Sequence, residues 1–150
     1  MLLFKGIEYA ESLYNIHKHS FGKPWSLENF QDILKLPNTF GFCQDEGFIL
    51  CSDVVTDIEI LTFAVLPKER RKGIGLALLK AVQDFAIQQK KHHVFLEVNE
   101  TNKPAISLYT KQDFVQTGLR KNYYHEQGDS FNALCLTWKN PQLNAEDSEF

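Results

Sequence analysis

Residues 70–79 read RRKGIGLALL, and no other stretch of the chain restricts its fold as tightly. The segment lies between a β-branched and aromatic run, IEILTFAV at 58–65, and an apolar series at Ile74, Ala77, Leu78, Ala81, Val82 and Phe85. The run suits a strand, and the series has the i, i+3, i+4, i+7 spacing of one helix face. A chain that turns from strand to helix through Gly73 and Gly75 bares backbone N–H groups at the helix N-terminus, and Arg70, Arg71 and Lys72 place positive charge beside them. Such a corner suits a pyrophosphate. It also suits a solvated basic turn in which Gly73 merely starts a helix, and the corner alone leaves both readings open. One nucleotide-binding pattern fails and a second fits poorly. A Walker loop ends in Gly-Lys-Ser/Thr, which the corner lacks, and a dinucleotide fingerprint wants a third small residue where this chain has Leu78.

The rest of the chain sets one domain around this corner. Its 150 residues can bury roughly two thirds of the unfolded surface in a single core. A formal charge of −3 argues against a general nucleic-acid binder, because phosphate backbones select a surplus of Lys and Arg. Cys43, Cys51 and Cys135 are widely spaced among apolar neighbours, so they read as reduced core residues rather than a disulfide or metal framework. The opening MLLF is too short for a signal sequence, and no apolar run approaches the ~20 residues of a spanning helix. The expectation is a cytoplasmic protein without a membrane partner. Residues 1–140 form the domain, and 141–150 are an acidic, flexible tail.

The periodicity predicts helices over 8–19 and 26–35, the second capped by Ser26. Three β-rich runs follow, TFGFCQ, GFILCSDVV and IEILTFAV, with a turn at DEG between the first two. After the long helix the order repeats: VFLEV as a strand, then NKPAISLYTKQ as a helix with Asn102 as its cap and Pro104 in the first turn. Two more strands are expected around 114–120 and 131–138. The fold class is α+β, a mixed sheet covered by helices.

ILTFAVLPKERRKGIGLALL resembles the acetyl-coenzyme A motif of the GNAT superfamily of N-acetyltransferases: Arg or Gln, two residues, Gly, one residue, Gly or Ala, met here by Arg70, Gly73 and Gly75. The likeness runs from about Glu59 to Tyr124. LEVNETNKPAISLYTKQDF and RKNYY narrow it to the RimI-like branch, which acetylates protein N-termini, a ribosomal protein's alanine in the type case. Residues 1–58 match mainly through PWS. The resemblance implies a mostly antiparallel GNAT sheet and acetyl-CoA as acetyl donor. It implies that Phe63, Ala64 and Val65 offer backbone groups to the pantetheine arm. The amides of residues 71–76, including Lys72, Ile74 and Leu76, would then hold the diphosphate.

The acceptor needs its own chemistry. An amine attacks a thioester only when neutral; an α-amino group with a pKa near 8 is roughly 10% neutral at pH 7, a lysine less than about 0.1%. Glu97 interrupts VFLEV on the face it shares with Phe95, where a carboxylate is costly unless paired, wet or functional. Position alone also fits a strand-end glutamate reaching water or a lysine; RimI-like enzymes place the general base here. Tyr109 lies seven positions after Asn102, about 700° at roughly 100° per residue, so both fall on nearly one helix stripe. Helical spacing beside Ile106 more commonly marks a core aromatic. The family assigns this tyrosine as general acid and the asparagine as a cofactor contact. Asp113-Phe114 stands where the family usually has Gly-Phe, so altered geometry is expected there, since Asp tolerates the left-handed conformation at some cost.

The histidines 17, 19, 92, 93 and 125 lack the spacing of a metal site, and no metal is expected. KKHH at 90–93 reads as the solvated end of the long helix. Trp25, Tyr123 and Tyr124 are placed at the rim of the acceptor groove, with simple packing an equal alternative. The reading is an acetyltransferase acting on a protein or peptide N-terminal α-amine, with a ribosomal protein as the candidate acceptor the resemblance implies. Transfer to a small-molecule amine, or a silent acyl-CoA-binding module, are the alternatives.

Overall fold

The computed structural model describes residues 1–20, 24–70, 72–126 and 128–143. Arg71, and the expected tail from residue 144 onward, lie outside the described residues. The chain runs β1 (Leu2–Phe4), a 3₁₀ turn at Ile7–Tyr9, α1 (Ala10–His17), α2 (Leu27–Leu34), β2 (Thr39–Gln44), β3 (Gly47–Val54), β4 (Asp57–Val65), a 3₁₀ turn at Pro67–Glu69, α3 (Ile74–Gln88), β5 (His93–Asn99), α4 (Lys103–Lys111), β6 (Val115–Glu126) and β7 (Asp129–Lys139). The seven strands form one sheet in the order β1-β2-β3-β4-β5-β7-β6. Every ladder is antiparallel except β4–β5. Parallel neighbours need a crossover, and α3 supplies it. Among the described residues no helix is long and apolar enough to cross a membrane.

Helices cover both faces. Phe4, Leu13, Phe30, Phe48, Leu50 and Ala64 build one core under α1 and α2. Ile49, Cys51, Ile58, Leu78, Val82, Val94 and Tyr109 build the other under α3 and α4. Burial on both sides explains why GFILC in β3 is an unbroken apolar run rather than an alternating one. Cys51 alone of the cysteines is fully buried; Cys43 and Cys135 are half-buried, so the expectation of three core thiols is corrected to one.

The buried stripe of α3 is Ile74, Leu78, Leu79, Val82, Gln83 and Ala86, displaced from the predicted face at Ala77, Ala81 and Phe85. Gln83 belongs to it because its Nε2 donates to the Gln112 carbonyl at 2.9 Å. Both α3 and α4 end in a Schellman motif closed by a residue other than glycine. Lys90 (φ 55°) and Asp113 (φ 68°) take the left-handed position, and Lys91 N–H to Ala86 O (2.8 Å) and Phe114 N–H to Tyr109 O (3.1 Å) close the 6→1 bonds. Asp113 therefore reproduces the geometry a glycine would give.

Other expectations need correction. The first helix runs Ala10–His17, not 8–19, and the C-terminal hairpin reaches further toward its turn than predicted, to Glu126 rather than 120 and from Asp129 rather than 131. Its extra length was hidden by an irregularity between Arg120 and Tyr124, where the pairing with β7 slips and side-chain alternation breaks. The KKHH stretch is no solvated helix end: α3 stops at Gln88 and His93 starts β5. Lys91 Nζ binds Asp53 Oδ1 at 2.6 Å and the Val55 carbonyl at 2.8 Å, and His93 Nδ1 lies 3.1 Å from Asp57.

Candidate active site

The site exists because β4 and β5 pair and then part. Their ladder has three pairs, Asp57↔His93, Ile58↔Val94 and Glu59↔Phe95, although β4 runs on to Val65 and β5 to Asn99. The cause lies on the other edge of β4. Leu50 of β3 faces Thr62 while Cys51 faces Ile60, which leaves Leu61 as an extra, bulged residue. A bulge bends the strand and increases its twist. It also changes which residues face which core: Ile58 and Ile60 point to the α3 side before it, Phe63 and Val65 after it.

The ladder decides which backbone groups are open. Leu66 N–H donates to Glu46 O at 2.9 Å, so the alternation of an antiparallel pair commits the N–H and C=O of Ala64 to β3 and turns those of Phe63 and Val65 to the gap. Of the three residues expected to offer backbone groups, Phe63 and Val65 are oriented to do so. Ala64 lines the groove with its surface only, which corrects that assignment.

Two clefts meet in this gap. One, of about 550 Å³, is lined by Phe63, Ala64, Val65, Arg70, Ile74, Gly75, Asn102 and Leu108. At its end α3 begins with Gly73 as N-cap (φ 80°), with no side-chain cap and no acidic residue in the first turn. The first intrahelical bond is Ala77 N–H to Gly73 O at 3.0 Å, so the amides of Ile74, Gly75 and Leu76 precede any intrahelical acceptor. A Cβ on Gly73 would meet nothing within 4 Å, and one on Gly75 would stand 3.5 Å from Phe63 Cζ. The glycines thus leave the amides open to a ligand rather than relieve a crowded core. Arg70 Nε donates to the Val65 carbonyl at 3.1 Å, folding that cation over the strand end. Lys72, by contrast, is exposed and paired with Glu69 at 3.0 Å. The Ile74 side chain is buried in the core, leaving only its amide for a ligand.

The second cleft, of about 630 Å³, brings together Glu97, Tyr109, Asn102, Trp25, Tyr123 and Tyr124, all singled out in the sequence, with His17, Leu61, Thr62 and His125. Phe63, Asn102 and Ala105 line both clefts and mark where they join. Val94, Leu96 and Val98 face the α3 core, so strand alternation turns Glu97 to the α1 side. Tyr109 approaches from α4 on the opposite side. A ligand in each cleft would thus meet between the carboxylate and the phenol.

Glu97 is exposed enough to reach water and is held by Arg120, whose Nη1 donates to Oε1 at 2.8 Å and Oε2 at 3.1 Å. That pairing answers why a carboxylate is tolerated in VFLEV, so its position, not its cost, speaks for a role. Arg120 in turn lies 4.0 Å from the Tyr123 ring centroid. Burial, and secondarily the charge of Glu97, raises the Glu59 carboxyl above its ordinary value. Tyr109 is buried beside Phe63 and Phe114. Burial first, and Cys51 and Tyr124 after it, pushes its phenol well up, so it carries its proton at neutral pH. Asn102 caps α4, its Oδ1 accepting from Ala105 N–H at 3.3 Å.

The rim has a support that sequence reasoning missed. Asn132 of β7 donates its N–H to Glu100 Oε2 (2.9 Å) and accepts from Glu100 N–H (3.0 Å) and, at Oδ1, from Asn122 N–H (3.0 Å). It ties the end of β5 to the slipped segment of β6, where Asn122 is left-handed (φ 55°) and Tyr123 and Tyr124 turn over the cleft. His17 was also missed. The sequence offered it only as one of five histidines without metal-site spacing, whereas the fold places it 2% exposed in the cleft wall.

Known proteins resemble this chain in sequence and in fold. The model of the Acetyltransferase (GNAT) family matches residues 10–114. The ribosomal protein bS18-alanine N-acetyltransferase of Haemophilus influenzae is 31% identical over 136 residues, covering 84% of this chain and 89% of that one. The crystal structure of the ribosomal-protein-S18-alanine N-acetyltransferase from Escherichia coli superposes with a TM-score of 0.86 at 23% identity, covering 96% of each chain. That of Arabidopsis thaliana NAA60 in complex with acetyl-CoA gives 0.75 at 20% identity, covering 92% of this chain and 97% of that one.

Proposed function

Since the chain belongs to the GNAT acetyltransferase family and uses acetyl-CoA, we propose that it transfers the acetyl group directly to the α-amine at a protein N-terminus, of the ribosomal-protein type its relatives are named for. The observation that carries this reading is the junction of two clefts where β4 leaves β5, with Glu97 and Tyr109 on opposite sides of it.

Acetyl-CoA supplies an acetyl group activated as a thioester. The open amides at the start of α3 and Arg70 suit its diphosphate. The Phe63 and Val65 backbone groups facing the gap suit the amides of the pantetheine arm, as an added strand would. Asn102, between the clefts, keeps its Nδ2 for the ligand while Oδ1 caps the helix. On the acceptor side, Glu97 takes the proton that the amine sheds as its C–N bond forms, directly or through a water at its exposed face. Tyr109 gives its proton to the departing sulfur, for which a phenol kept neutral by burial is suited. An α-amine asks little of the base because about a tenth of it is already neutral at pH 7.

The test is acceptor choice. A peptide with a free N-terminus should be acetylated, and the same peptide with that amine blocked and an internal lysine free should not. Backbone amides beside an N-terminus give the groove something to hold; a lysine amine stands four methylenes from such anchors. By kcat/KM from thiol release, N-termini should exceed lysine, and lysine should exceed spermidine-like amines. Preference for small amines over every peptide of a varied panel would overturn the N-terminal reading.

A further inference from the structure

We propose that His17 is a positioning residue for the acceptor: a neutral imidazole, bonded at both ring nitrogens, that clamps the segment carrying Trp25 to Thr62 at the bulge of β4 and so fixes one wall of the acceptor cleft. That the cleft takes an acceptor rests on the function proposed above; the clamp itself does not.

Trp25 N–H donates to His17 Nδ1 at 3.2 Å. Nδ1 therefore presents its lone pair, which puts the ring hydrogen on Nε2, 3.1 Å from Thr62 Oγ1. Burial lowers the imidazole pKa to about 4, in keeping with this neutral form. The three elements so joined are the last turn of α1, the residue before the Ser26 cap of α2, and the residue after bulged Leu61. Ser26 begins a capping box, so the backbone at Trp25 is held from the α2 side as well.

Packing alone does not explain a histidine here. The ring lies among Trp25 (5.5 Å between centroids), Phe30 (5.3 Å) and Phe48 (6.4 Å), surroundings in which phenylalanine would bury more apolar surface at no desolvation cost. What the imidazole adds is one acceptor and one donor aimed in opposite directions. Thr62 belongs to the stretch that turns away from β5, so the clamp ties the acceptor wall to the strand whose departure opens the site. Without it, Trp25 would be held on one side only, and ordering the wall would fall to acceptor binding.

The experiment compares His17→Phe, which keeps an aromatic ring and removes both bonds, with His17→Gln, whose carbonyl can accept from Trp25 and whose amide can donate to Thr62. His17→Phe should raise the peptide KM about fivefold or more, the scale of one lost hydrogen bond, with kcat and acetyl-CoA affinity within about twofold of wild type. His17→Gln should return KM to near wild type. A second readout needs no acetylation: with Trp138→Phe in the core of β7, Trp25 is the remaining tryptophan, and its fluorescence should become more accessible to acrylamide in His17→Phe but not in His17→Gln. Wild-type KM and quenching in folded His17→Phe would overturn the proposal. So would a folded His17→Gln that behaves like His17→Phe. If His17→Phe does not fold, Thr62→Val carries the test, with KM and quenching expected to rise in the same direction. Should wild type acetylate no peptide, the functional reading fails and the quenching comparison alone decides the role of His17.

Discussion

Substituting Gly73 by aspartate should weaken acetyl-CoA binding at least tenfold while leaving the folded protein intact. Gly73 caps α3 with φ 80° and ψ 6°, a conformation that costs an L-residue about 1–2 kcal/mol. No steric term adds to this, because a Cβ there meets nothing within 4 Å. Gly73→Ala carries at least as large a backbone cost without charge and is the control. The aspartate carboxylate would stand about 5 Å from a dianion held on the amides of residues 74–76. At an effective dielectric constant of roughly 40–80 that repulsion is about 2–3 kcal/mol. It corresponds to a loss of about thirty- to a hundred-and-fiftyfold, which rotation of the side chain into water and salt screening reduce toward the tenfold floor. Calorimetric titration of acetyl-CoA at low and high salt measures it, and thermal melts should show Gly73→Asp losing no more stability than Gly73→Ala, since Asp tolerates the left-handed position better and its charge suits a helix N-terminus. A folded Gly73→Asp that binds acetyl-CoA as tightly as Gly73→Ala would refute the corner as the diphosphate site.

Three other outcomes are expected. Tyr109→Phe should lower turnover by about a hundredfold with little change in acetyl-CoA affinity, and Glu97→Gln should do likewise with a deficit that shrinks from pH 7 to 9 as the amine loses its own proton; wild-type turnover in both at pH 7 would remove them from the chemistry. His17, held neutral with a pKa of about 4 against about 6.5 unfolded, binds fewer protons in the native state, so its contribution is present above about pH 6.5 and is lost as pH falls toward 4, by at most roughly 3 kcal/mol; the urea midpoint of wild type should fall over that window and that of His17→Gln should fall less. Val55, β-branched, 88% exposed and left-handed at φ 60°, strains the turn between β3 and β4; Val55→Asn should raise Tm by about 2–4 °C, and an unchanged or lower Tm would count against strain there.

What the sequence determined by itself is what local chemistry dictates. Gly73 and Gly75 after IEILTFAV set the strand-to-helix corner, Ser26 and Asn102 cap the helices they were expected to cap, and Asp113 takes the left-handed place of a glycine. Each depends on neighbours within a few residues, so spacing and residue type suffice. The candidate catalytic pair was legible through a motif rather than through physics: Glu97 alone reads equally as a surface carboxylate, and Arg120, 23 positions away, gives it that partner. The tertiary structure decided what depends on distant segments. The opening between β4 and β5 arises from a register slip against β3, and the bulge at Leu61 shows in the sequence only as the adjacent apolar pair Ile60-Leu61, which fits a strand buried on both faces as well. The same slip separates Phe63 and Val65, which face the gap, from Ala64, which does not. His17 meets Thr62 across 45 residues, and Asn132 meets Glu100 across 32. A buried polar group is legible only with its partners, and folding alone brings those partners within hydrogen-bond reach.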